Sequence, residues 1–120
     1  MCSDCGRFAT DDPSLTEGVL TDVGEERERQ ETKWGTQHHP DGTKDEQFSR
    51  AVRDRAIAEC GRKAAMGQVT WKDILMEEVL EAFAEDDIAM LRDELVQVAA
   101  VAVAWIEDIE SRDHWRLSVV

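Results

Sequence analysis

Apolar residues recur at helical spacing along most of this chain. Trp71, Ile74, Leu75, Val79 and Ala82 form one stripe, and Leu91, Leu95, Val98, Ala102, Trp105 and Ile109 form a second. Both follow the three-and-four rhythm of amphipathic helices. Upstream, Val19, Leu20 and Val23 give a short apolar face to a helix over Leu15 to Trp34, regular from about Thr21 or Asp22. Phe48, Val52, Ala56, Ile57 and Cys60 point one way in a helix from Lys44 to Met66, with Gly61 as a weak point inside it. The punctuation agrees. Gly35 and Gly67 stop the first two helices, and the loop GTQHHPDGT between them carries Pro40 and Asp41-Gly42 as turn formers. Thr70 with Asp73 reads as a capping box that starts the third helix. Asp86 or Asp87 caps the fourth, which runs toward Arg112. The pattern predicts an all-α bundle of about four helices over residues 16–112, with a flexible arm at 1–15 and a tail at 113–120.

From Val98 to Trp105 the fourth helix is apolar nearly all round, the mark of a helix buried on several sides. One small domain can hardly surround it. A homodimer or homotetramer is therefore expected to complete the bundle, with Trp115 and Leu117 of the tail packing across a partner.

A length of 120 residues suits one domain, and 42% hydrophobic residues suffice for its core. The net charge of -13 excludes the basic footprint that nucleic-acid binding needs. No apolar run approaches the roughly 20 residues that span a bilayer, and MCSDCGRFATDD holds no hydrophobic signal core, so a cytoplasmic protein is expected. An odd count of three cysteines fits a reducing compartment better than a disulfide framework. Cys2 and Cys5 form a lone C-x-x-C. Zinc there would have to recruit Cys60 or the His38-His39 pair, a weak prospect because structural zinc wants four ligands.

The chemistry enters where the stripes are interrupted. Glu78 falls inside the third helix's apolar stripe, flanked by Trp71, Ile74 and Ala82, with Glu81 three residues on. Glu94 sits at the edge of the fourth helix's stripe, with Gln97 three residues on. Side chains at i and i+3 share a helix face. A carboxylate directed into an apolar face is costly unless positive charge meets it, and no lysine or arginine lies one turn from Glu78 or Glu81. A divalent metal would supply that charge. Oxygen donors alone select Mg2+, with Mn2+ as the second choice, over zinc. Magnesium commonly shares its coordination with substrate phosphates, so a phosphate ester or anhydride is the natural substrate.

Glu78-x-x-Glu81, twelve intervening residues and Glu94-x-x-Gln97 resemble the E-x-x-E … E-x-x-D signature of the MazG-like all-α nucleoside triphosphate pyrophosphohydrolases. The doublet Glu77-Glu78 fits as well. Upstream, ERERQETKWGTQHHPDG resembles an E-R-x-x-Q-x-x-K-W-G-x-Q-x-H-P segment of phage and bacterial members. The resemblance spans about residues 20 to 110 and implies Mg2+-dependent hydrolysis of a nucleoside triphosphate to the monophosphate and pyrophosphate. It implies Glu78, Glu81, Glu94 and Gln97 as metal ligands, and Glu77 and Glu78 as catalytic groups, with Glu77 as proton acceptor. Substrate contacts are implied for Arg29, Lys33, Trp34, Gln37 and His38. Read from the residues alone, Arg29 and Lys33 equally suit i, i+4 ion pairs on an exposed helix, and Gln37 and His38 suit a turn. Lys72, Arg92 and Arg62 read chiefly as surface cations. Where the family has Asp this chain has Gln97, a neutral donor that lowers the site's charge by one. That departure opens the alternative of a catalytically impaired helical dimerisation or interaction module.

Overall fold

A computed structural model describes residues 13–43 and 46–112. Four helices and no strand occupy them: α1 (Pro13–Trp34), α2 (Glu46–Ala65), α3 (Trp71–Phe83) and α4 (Ile88–Glu110). The fold is all-α, as the apolar spacing predicts. No helix among the described residues is long and apolar enough to cross a membrane. Residues 1–12 of the expected arm, Lys44, the side chain of Phe48, and the tail with Trp115 and Leu117 lie outside the described residues.

The helix ends follow from local chemistry. α1 begins at Pro13, earlier than the apolar face predicts. The first turn needs no N–H from that position, and proline's fixed φ is already helical. Gly61 leaves α2 unbroken. That helix ends in a Schellman turn: Gly67 takes φ +69°, its N–H reaches the Ala64 carbonyl at 3.1 Å, and Gln68 N–H reaches Lys63 at 2.8 Å. Gly35 closes α1 at φ +70° in the same left-handed region. At α3 the capping box is complete. Thr70 Oγ1 accepts the Asp73 N–H at 3.2 Å, and Asp73 Oδ2 accepts the Thr70 N–H at 3.0 Å. Asp87 caps α4, its Oδ1 accepting the Met90 N–H at 3.0 Å. Glu85 Oε1 accepts the N–H groups of Asp86 and Asp87, so the acidic corner folds on its own carboxylate.

The described chain divides into two compact units, residues 42–102 and residues 13–41 with 103–112. In the first, Cys60 of α2, Ile74 of α3 and Val101 of α4 form the core, with Ala64, Val69, Trp71 and Leu75 against them. Lys63 Nζ meets Asp73 Oδ1 at 3.1 Å, tying α2 to the capping box. Cys60 is disulfide-bonded, and a sulfur so engaged is no zinc ligand. Cys2 and Cys5 lie outside the described residues. Leu95 corrects another expectation: it is 50% exposed, beside the equally exposed Val96, rather than part of the buried stripe. α4 is apolar around most of its circumference, so periodicity alone could not choose which apolar residues face inward. In the second unit Val19, Val103 and Ala104 are buried, and Thr16 Oγ1 donates a hydrogen bond to the buried Glu107. From Leu20 to Trp34, α1 is exposed except for half-buried Gln30.

Candidate metal centre

The capping box fixes where α3 starts and therefore which of its residues face α4. Helical geometry then aligns Glu78 with Glu81, and α4 returns Glu94 to meet them. One carboxylate oxygen from each lies within 4.8 Å of the others. The group is withdrawn from water: Glu78 is 3% exposed, Glu81 9%, and Glu94 half-buried. Glu77, adjacent in sequence but about 100° around the helix, is not exposed at all.

Burial without compensation is the chemical signature here. Glu78 Oε2, Glu94 Oε2 and Gln97 Oε1 are buried with no hydrogen-bond partner. Such orphaned oxygens are rare in folded proteins, and each costs about 1–3 kcal/mol, more when charged. Cations of α2 and α4 are paired with other carboxylates, Lys63 with Asp73, Arg62 with Glu59, Arg50 with Asp86 and Arg92 with Asp93. Desolvation, followed by repulsion from Glu81, Glu77 and Glu94, raises the Glu78 pKa from the ordinary 4.5 to about 7. Glu94 is raised too, by desolvation first, then by the charge of Glu81 and a hydrogen bond with it. Three carboxylates crowded this way repel one another, and a hard divalent cation with oxygen preference fits the donor set. Gln97 stands one turn along α4 from Glu94, on the same helix face.

The residues proposed to contact substrate fall in the other compact unit. Arg29 pairs with Glu26 at 3.3 Å, one residue away from the Glu25 partner that i, i+4 spacing suggests. Lys33 Nζ stands 4.8 Å from the centroid of the Trp34 ring, within cation–π range. Glu25, Glu28, Arg29, Thr32 and Lys33 line an open groove of about 430 Å³ along α1. Gln37 and His39 hydrogen-bond at 2.8 Å, which supports the turn role for Gln37, and His38 is exposed. Sequence reasoning did not single out Glu107. Its signal was a carboxylate flanked by the stripe residues Trp105 and Ile109, and the hydroxyl of Thr16 satisfies it.

Comparison of the chain with protein-family models, curated proteins and solved structures finds no match. The resemblance to the MazG-like enzymes therefore stands on the residues themselves.

Proposed function

We propose that the protein is a Mg2+-dependent hydrolase of nucleoside triphosphates, releasing the monophosphate and pyrophosphate. The carrying observation is the meeting of Glu78, Glu81 and Glu94, their oxygens within 4.8 Å of one another, with Glu78 Oε2 buried and without a hydrogen-bond partner. Those three carboxylates, with Gln97, would hold the cation; Mn2+ would serve in its place. The bound ion supplies charge neutralisation at phosphate oxygens and an acidified water. Glu77 was the expected proton acceptor, but complete burial does not suit a group that must meet that water. Its field on Glu78 is the better-supported role. Lys33 and Arg29 offer cations to phosphates, and Trp34, 57% exposed, offers a ring face to a base.

A second reading has its own support. Ile88, Met90, Leu95 and Val96 expose apolar surface on α4. An association of identical chains, dimer or tetramer, would cover it, and such a module could persist without catalysis because Gln97 weakens the site. Pyrophosphate release from a panel of nucleoside triphosphates with Mg2+ separates the readings. Wild type is expected to turn over at least one of them, and Glu78→Gln to lose about 100-fold or more. Association without any turnover would leave the interaction module standing and remove the hydrolase.

A further inference from the structure

α2 carries Cys60 into the core of its compact unit. The side chain is 1% exposed, grouped with Ile74 of α3 and Val101 of α4, and its sulfur is held in a disulfide. The chain has three cysteines, so the other sulfur of that bond belongs to Cys2 or Cys5. One thiol is left over. It is the other member of the Cys2-x-x-Cys5 motif, tethered through two residues to the cysteine that bonds Cys60.

We propose that the three cysteines form a thiol–disulfide switch, in which the bond at Cys60 exchanges for a bond between Cys2 and Cys5. The thiolate of the unbonded N-terminal cysteine attacks the sulfur of its neighbour in the motif. A Cys2–Cys5 bond forms and the bond to Cys60 breaks. The Cys60 sulfur leaves with the electron pair and takes a proton from solvent, equal to the one the attacker gave up. No oxidant or reductant is consumed. Burial sets the direction. Exchange needs access to the sulfur that is attacked, and the enclosed Cys60 is closed to it. Attack therefore falls on the N-terminal sulfur, with Cys60 as the leaving group. The two bonds also differ in what they hold. The bond at Cys60 closes nearly half of the chain into a loop, whereas the other closes only the motif, and a longer loop constrains the unfolded chain more. Exchange thus withdraws stabilisation from the unit built around Cys60. This inference is independent of the metal-site reading.

Disulfide mapping of the full chain tests it. Oxidised protein is kept free of added thiols at pH 8, quenched with acid, alkylated while unfolded and digested for mass spectrometry. Wild type is expected to hold two isomers, one with Cys60 bonded to Cys2 or Cys5, the other with Cys60 alkylated beside a Cys2–Cys5 bond. Their interconversion should be about 100-fold slower at pH 6, because the thiolate is the attacker. Cys2→Ser and Cys5→Ser each lack the third thiol, so a chain with Cys60 bonded should show no exchange. Reduction should lower the wild-type melting midpoint by about 10 °C or more, and should leave the midpoint of Cys60→Ala unchanged within about 2 °C. The wild-type mapping stands even if that variant fails to fold. Cys60 found free in all oxidised chains, bonded only between two chains, or bonded to the motif with no Cys2–Cys5 isomer would overturn the switch. So would a wild-type midpoint that reduction does not move.

Discussion

α1 and α3 are both rich in carboxylates and treat them in opposite ways. Along α1, glutamates stand in water and pair locally: Arg27 with Glu31 at 3.3 Å and Arg29 with Glu26 at 3.3 Å, all side chains about half exposed or more. Along α3, Glu77, Glu78 and Glu81 are withdrawn from solvent. The residue types are the same and the energetics differ. An exposed helical pair contributes about 0.3–0.5 kcal/mol and is screened by salt. A buried carboxylate without a counter-charge costs several times that and persists when something else selects for it. Charge density along a sequence is therefore a poor guide to chemistry. Burial of charge on an apolar face is a better one.

The sharpest way to break the contrast is to neutralise α3. Because the Glu78 pKa in the fold lies above its ordinary 4.5, at about 7, the folded protein keeps a proton that the unfolded chain has released. Without divalent cations, stability should therefore fall as pH rises from about 4.5 to about 7 and level off above. Glu78→Gln should lack most of this decline and be more stable than wild type at pH 8 by roughly 3 kcal/mol, from about 1.4 kcal/mol per pKa unit. Mg2+ should restore wild type and leave the variant unchanged. Urea denaturation across pH with and without Mg2+ measures this; a wild-type stability that rises across that window would contradict it.

A smaller effect is expected at the start of α3. Thr70→Ala removes the hydroxyl that accepts the Asp73 N–H, and the loss of such a cap costs about 1 kcal/mol. The hydrogen bond from Thr70 is also the main cause, ahead of the contact with Lys63, that holds the Asp73 carboxyl below its usual range. Chemical denaturation should show the loss, and an unchanged midpoint would mean that packing alone positions α3. Smallest of all, Arg27→Ala on α1 should change stability by no more than about 0.5 kcal/mol, and less at high salt. A loss above 1 kcal/mol in thermal melts would show that α1 is not the solvated helix described here.

The sequence made some of this legible and hid the rest, for physical reasons. Thr70 and Asp73 could be read as a capping box because the motif is local, and Gly67 as a stop because few other residues adopt its φ. Glu78, Glu81 and Glu94 could be read as one site because helical spacing brings i and i+3 together and a short turn brings the helices back. Leu95 could not be placed, since every face of α4 offers apolar residues. Nor could the complete burial of Glu77, which lies off the stripe that carries Glu78 and is covered by tertiary packing. The pairing of Arg29 with Glu26 rather than Glu25 is a choice between two near-equivalent rotamers, which spacing does not make.

The central claim is that the carboxylates of α3 and α4 converge because a divalent cation belongs among them. Anomalous scattering from crystals grown with Mn2+ tests it most directly. The account predicts a strong anomalous peak bonded to oxygens of Glu78, Glu81 and Glu94. Crystals in Mn2+ that show no peak there, with the three carboxylates still adjacent, would contradict it.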